Sequence, residues 1–314
     1  MVPPELETVR KRYAKKLVIF LVIAFLFFGL SMASIITAML STTDSSTNSI
    51  PLIASPTLAV ICFFGAGIIG IVAYFATRKD AAAYQKIYKA HFVERALQEV
   101  FTDLSYSHEA GMPAEALAST EMISLGDIYT SNDFTSGKYK DTSFRQADVH
   151  IQEEHSDSDG DTRYVTIFKG RWIEFEFPKA FNFRLEVAQK WFGATRVPKG
   201  KNGRKFEKFQ TESPTFNKKF KIYAEDGFEV FYILDPALID HIENLTNVHK
   251  GKFLLCFIEQ KLSVAIYDNN DAFEPPNPLK SIDEAKEKAK VTSEIKLITD
   301  FVDFLRLDHK LFRK

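Results

Sequence analysis

Leu17-Val-Ile-Phe-Leu-Val-Ile-Ala-Phe-Leu-Phe-Phe-Gly-Leu-Ser-Met-Ala-Ser-Ile-Ile-Thr-Ala-Met-Leu40 contains no Asp, Glu, Lys or Arg, and its reading decides the architecture. A helix needs about 20 apolar residues to cross a hydrocarbon core about 30 Å thick, and this run exceeds that. A second uncharged run extends from Leu52 to Thr77, with Pro56 expected in its first turn, where a missing N–H costs little. Between them lies the polar link Ser41-Thr-Thr-Asp-Ser-Ser-Thr-Asn-Ser-Ile-Pro51, too short to be a domain. Two spans and a short link predict a transmembrane helical hairpin. The competing reading, a cleaved signal peptide, suits an apolar region of only about 7–15 residues. The small-xxx-small spacings Gly29/Ala33 and Ala66/Gly70 are expected to pack the two helices closely within the hairpin. Neither span carries an ionisable residue, which argues against a pore, proton relay or transport path.

Working outward, Arg10, Lys11, Arg12, Lys15 and Lys16 precede the first span and Arg78, Lys79, Lys86 and Lys89 follow the second, whereas the link has no Lys or Arg. The positive-inside rule then places both ends of the hairpin in the cytoplasm and the link outside. The whole chain of 314 residues has net charge −1 and pI about 6.7, so nothing in its charge points to nucleic acid. Its two cysteines, Cys62 and Cys256, lie in an apolar span and an expected strand. Neither a disulfide framework nor a thiolate metal site follows.

From Asp80 to Leu104, Tyr84, Ile87, Tyr88, Phe92, Ala96, Leu97, Val100 and Phe101 recur at three- and four-residue steps, an amphipathic helix. A break at Gly111-Met-Pro113 leads to a weak helix over Pro113–Ile123. Alternation over Phe144–Glu154, a polar turn at Ser156-Asp-Ser-Asp-Gly-Asp161 and a β-rich run over Thr162–Phe177 predict an antiparallel hairpin. Further strands are expected at Arg184–Trp191, Lys219–Ala224 and Phe228–Leu234, the last two joined at Glu225-Asp-Gly227. Asp235-Pro236 signals a helix start, Asp235 being the N-cap, and the helix runs to about Val248. Lys252–Glu259 and Leu262–Tyr267 read as another hairpin turning at Gln260-Lys261, and Ser281–Leu307 as a closing helix. The expected fold class is α+β: a two-helix transmembrane hairpin followed by a cytoplasmic domain with a mostly antiparallel sheet and flanking helices. By residue number, a basic N-terminus covers 1–16 and the hairpin 17–77 (spans 17–40 and 52–77). An amphipathic connector covers 80–124, the sheet domain 125–275 and a C-terminal helix 276–314.

Sites are sparse. The turn from Asp157 lacks the sixth-position Gly and twelfth-position Glu of a calcium loop. His150 and His155 lie an odd number of residues apart, so on one strand they face opposite sides. No HExxH, GxSxG, GxxxxGK[ST] or GxGxxG occurs, and no cofactor or metal is expected. The one charge cluster is Lys199-Gly-Lys-Asn-Gly-Arg-Lys205, in which Lys199, Lys201, Arg204 and Lys205 are candidates for contact with anionic lipid, against the plainer reading of a solvated Asn-Gly loop.

Several stretches resemble a bacterial domain-of-unknown-function family, number 3137. They are Asp133-Phe-Thr-Ser-Gly137, Thr142-Ser-Phe144 with Val149-His-Ile-Gln-Glu153, and Ile167-Phe-Lys-Gly-Arg171. Phe216-Asn-Lys-Lys-Phe-Lys-Ile-Tyr223, Phe231-Tyr-Ile-Leu-Asp-Pro-Ala-Leu238 and Asn270-Asp-Ala-Phe-Glu-Pro275 complete the set. The resemblance runs from about Tyr84 to Pro275, leaving the last helix outside it. It implies a bacterial membrane-anchored protein of unknown activity, expected in the inner membrane, and supplies no catalytic residues. The expected function is a non-catalytic binding or scaffolding module at the membrane, its partners the lipid bilayer and another membrane or cytoplasmic protein. The alternative is a membrane-tethered enzyme with its site among residues such as His150, Glu153 and Asp235.

Overall fold

The computed structural model describes residues 2–41, 56–156, 160–190, 206–225 and 227–305. The chain divides into two compact units, Met1–His91 with Pro275–Glu287, and Phe92–Glu274 with Lys288–Lys314.

The first unit is built on two helices, α1 (Pro4–Ser41) and α2 (Pro56–Tyr88). Both are long and apolar enough to cross a membrane, and only 11% of each one's most apolar window is buried. That distinguishes them from core helices of a soluble protein, which bury their apolar surface. Phe25 is 75% exposed and Phe64 65%. The helices meet through small residues, but not those expected. Ser31, Ser34, Ala59 and Cys62 are buried, the Ser31 hydroxyl donates to the Ala59 carbonyl at 3.1 Å, and Gly65 faces the Phe27 ring. Gly29 and Gly70 have open space where a Cβ would stand, and Ala33 is exposed. The inward face is the one on which a serine hydroxyl finds a carbonyl acceptor away from water, where an unmade hydrogen bond is costly.

Beyond the apolar segments, charges tie this unit together. Asp80 accepts from Arg12 Nε at 2.7 Å, and Lys16 Nζ lies 2.6 Å from its other oxygen. The Lys16 ammonium, then the Arg12 guanidinium, hold the Asp80 carboxyl below the usual range. Arg10 pairs with Glu7 and donates to the carbonyls of Pro278 and Lys280 at 2.7 and 2.8 Å. Tyr84 donates to the Pro276 carbonyl and Tyr88 to Glu287. Residues 276–287 are thus fastened to the end of the hairpin that carries the basic residues. After Tyr88 the helical path widens into a π segment, Lys89–Glu94, and closes with α3 (Arg95–Val100). The expected helix therefore stops short of Leu104.

The second unit contains β1 (Thr102–Ser107), α4 (Ala114–Ala118), β2 (Ile128–Tyr139), β3 (Thr142–Ser156), β4 (Thr162–Gln189), β5 (Glu207–Phe209), α5 (Pro214–Lys219), β6 (Phe220–Ala224), α6 (Gly227–Ile233), α7 (Pro236–Val248), β7 (Lys252–Tyr267) and α8 (Glu284–Phe304), whose residues from Lys288 belong here. The sheet order is β1-β2-β3-β4-β6-β5, and β7 pairs with β4. The β3–β4 hairpin forms as expected, with Phe144 opposite Phe175 and Ala147 opposite Trp172. Asp235 caps α7, accepting from the Leu238 N–H at 2.7 Å, with Pro236 in its first turn.

Three expectations need correction. Lys252–Tyr267 is one strand, not a hairpin, and both halves pair with β4. The run Thr162–Phe177 and the described part of Arg184–Trp191 merge into β4, whose register against β7 shifts between Glu176 and Arg184 where Glu259 takes φ +53°. The two long strands bend together there, and the edge of β4 is satisfied along both halves instead of being left open. Phe228–Leu234 is a helix rather than a strand. Val230 and Ile233 are buried while Phe228, Phe231 and Tyr232 are exposed, a helical spacing that a short apolar run does not advertise. Strand β2, unannounced by its polar sequence, is held by its ladders to β1 and β3.

One sheet face packs a core of Ala147, Val149, Ile151, Phe168, Trp172 and neighbours beneath α4. The other face meets α8, whose Phe301 ring lies 5.8 Å from Phe175 and 6.2 Å from Phe253.

Candidate functional site

On the α8 side of the sheet, charged residues occupy positions whose alternation calls for apolar side chains. Register aligns Asn132 of β2, Asp148 of β3, Arg171 of β4 and Ile266 of β7 across the sheet. The segment after β7, Asp268-Asn-Asn-Asp-Ala-Phe-Glu274, folds back against this row. Asn269 and Phe273 take φ +55° and +61°, and the Asn269 N–H reaches the Lys169 carbonyl at 3.0 Å. Gly170 permits the approach, since a Cβ there would stand 2.0 Å from the Ile266 carbonyl oxygen at φ +155°.

Four carboxyls gather here. Asp148 is buried and accepts from the Ala272 N–H at 2.8 Å. Asp133, buried and at φ +56° in the bulge of β2, accepts from the Tyr106 hydroxyl at 2.7 Å and from Asn132 Nδ2 at 2.9 Å. Asn132 also reaches Asp271 at 3.5 Å. Ligand atoms of Asp133, Asp271 and Glu274 lie within 4.8 Å of one another, a group among the described residues that could hold a metal ion. Burial pushes the Asp148 carboxyl well above the carboxylate range. Arg171 opposes the shift, while Asp271 and Asp133 add to it, Asp271 also through a side-chain hydrogen bond. Burial and Asp133 together push the Tyr106 hydroxyl up. Desolvation of Asp148 thus disfavours its charged form, and the neighbouring carboxyls act in the same direction. Arg171 closes the group, pairing with the Glu294 carboxylate, donating to the Glu294 carbonyl at 2.9 Å and lying 6.0 Å from the Phe273 ring centre. The arrangement gathers carboxyls around the buried Asp148 and joins three strands, the 268–274 segment and α8.

The residues singled out from sequence are dispersed. Lys199, Lys201, Arg204 and Lys205 lie outside the described residues, as do Asp157 and Asp159 of the acidic turn. His150 shares a hydrogen bond with Thr166 at 3.1 Å, and burial lowers its pKa. Glu153 is exposed beside His155, and Asp235 serves as a helix cap. Sequence reasoning missed Asp133, Asp148, Arg171 and Asp271. A signal for Asp148 was present: it follows Phe144 and Gln146 at the two-residue period of a buried strand face.

No curated protein matches this chain. Among solved structures, the crystal structure of the mycobacterial trehalose monomycolate transport factor A, TtfA, is similar with a TM-score of 0.38 and 10% identity, over 71% of this chain and 94% of that one. The family model for a protein of unknown function, DUF3137, matches residues 166–307, so the likeness begins later than Tyr84 and includes α8, contrary to expectation. That segment, which supplies Arg171, Asp271, Glu274 and Glu294 of the cluster, is similar to the DUF3137 family of proteins of unknown function.

Proposed function

We propose that this is a two-pass protein of the bacterial inner membrane, with its basic N-terminal stretch and its sheet domain on the cytoplasmic side. The domain acts as a non-catalytic binding or scaffolding module for another membrane or cytoplasmic protein. One observation carries the membrane reading: two long apolar helices pack on each other through a narrow serine and alanine seam and leave most of their apolar surface uncovered. Exposed apolar surface on that scale suits lipid. Cleavage of α1 as a leader would strip Arg12 and Lys16 from the buried Asp80, leaving a carboxylate without its partners. The attachment of residues 276–280 to Arg10 and Tyr84 favours one side of the bilayer for the chain on either side of the hairpin, and the basic residues favour the cytoplasm. For the domain, His150, Glu153 and Asp235 are occupied separately in local hydrogen bonds or exposed, which favours binding over catalysis.

Two measurements test this reading. In carbonate-washed membranes the protein should stay in the pellet, and a cysteine introduced at Ser46 should react with an impermeant reagent in intact cells while one at Ser107 should not. Recovery in the wash, or labelling only at Ser107, overturns the membrane reading. For the scaffold role, crosslinking in cells should retain a partner on the full chain that an anchor-only chain lacks, and identical profiles would refute it.

A further inference from the structure

The pairing of β4 with its two neighbours gathers lysines at one end of the sheet. Lys221 lies opposite Ala188 and Phe220 opposite Gln189, and the Lys190 N–H donates to the Lys219 carbonyl at 2.7 Å. On the other edge Leu254 lies opposite Ala188, and the Phe253 N–H reaches the Gln189 side chain at 3.2 Å. Continuing that register brings Lys252 to face Lys190. Lys219, Lys190 and Lys252 thus stand in a row across three neighbouring chain segments, with Lys218, Lys221 and Lys250 beside them.

Adjacent strands are about 4.8 Å apart, and like charges facing one another across a sheet are destabilising. Elsewhere in this unit Lys138 is neutralised locally by Asp103 and Lys140 by Asp303. Here the acidic neighbour is Glu243, 3.9 Å from Lys219, and among the described residues Lys190, Lys218, Lys221, Lys250 and Lys252 have no ion-pair partner. Lys218, Lys219 and Lys250 are exposed and the other three half-buried. A chain of net charge −1 has therefore concentrated uncompensated positive charge at one end of one sheet, which is favourable when the countercharge comes from outside the protein.

We propose that this end of the sheet binds the anionic headgroup surface of a phospholipid bilayer. The inference rests on the membrane reading above, because a tethered domain meets that surface continuously at high local concentration. A row of ammonium groups on flexible stems suits an array of phosphates that has no fixed geometry.

The test uses the full-length protein in lipid nanodiscs, with a fluorophore at Lys218→Cys and a trace acceptor on the lipid headgroups. Cys62 and Cys256 are buried and contribute little labelling. Energy transfer should be higher in discs containing phosphatidylglycerol than in pure phosphatidylcholine, fall in high salt, and be insensitive to lipid for a control fluorophore at Ser105→Cys on the opposite flank of the sheet. Each of Lys190→Gln, Lys219→Gln and Lys252→Gln should lower the docked-to-undocked ratio about fivefold, and the triple variant about a hundredfold. Thermal melting of the same samples shows that the variants stay folded. Equal transfer in both lipids, or loss of the response on adding an acidic peptide without any dependence on phosphatidylglycerol, overturns the inference while retention in the discs upholds the membrane reading. Failure to enter the discs overturns both.

Discussion

Replacing Asp148 by Asn tests whether the carboxyl cluster holds a proton. Asp148 accepts from the Ala272 N–H, and burial, with Asp271 and Asp133 adding and Arg171 opposing, raises its pKa. An Asn keeps an acceptor for that N–H and cannot ionise. The folded protein binds a proton at Asp148 that the unfolded chain, with an ordinary carboxyl near pKa 3.9, releases. Its folded pKa is raised, so stability falls as pH rises from about 4 towards the folded value. For one proton the slope is about 1.4 kcal/mol per pH unit, or about 3–6 °C in Tm for a domain of this size. Wild type and Asp148→Asn should melt together near pH 4.5, read by tryptophan fluorescence of the full chain in mild detergent. The variant should then gain on wild type as pH rises, until the folded pKa is passed. A pH-independent gap would refute the raised pKa, and a gap of the opposite sign would show an ionised Asp148 held by Arg171. Asp148→Leu, which leaves the Ala272 N–H unpaired, should cost about 1–3 kcal/mol at every pH relative to Asp148→Asn.

Gly170→Ala should destabilise by more than about 3 kcal/mol or prevent folding, since its Cβ would meet the Ile266 carbonyl. Gly160→Ala, with open space at φ +86°, should cost only about 1–2 kcal/mol, and a comparison of yield and Tm distinguishes the two. Phe301→Ala empties a buried site between Phe175 and Phe253 and should cost about 3–5 kcal/mol, seen as a lower Tm. Asp80→Asn should speed tryptic cleavage after Arg12 and Lys16 at neutral pH, and an unchanged rate would contradict the ion pairs. In the wild type the depressed Asp80 pKa places the loss of that stabilisation below the ordinary carboxylate range.

The hairpin helices were legible because hydropathy over Leu17–Leu40 and Leu52–Thr77 is a property of each run alone. Asp235-Pro236 was legible for a similar reason, since a cap and its Leu238 N–H lie within one turn. The β3–β4 hairpin could be read because its alternation and its turn are neighbours in the chain. Strand β7 could not, because whether Gln260-Lys261 turns or runs straight depends on β4, about 80 residues earlier, offering an edge along its whole length. The Phe228–Leu234 run has apolar residues enough for either state, and burial of Val230 and Ile233 on one side chose the helix. The carboxyl cluster is the clearest case. The alternation of β3 could mark Asp148 as buried, but only the fold brings Asp271 and Asp133 beside it away from water. Hydropathy and capping act over a few residues, whereas strand pairing and the burial of charge are decided between segments far apart in the chain.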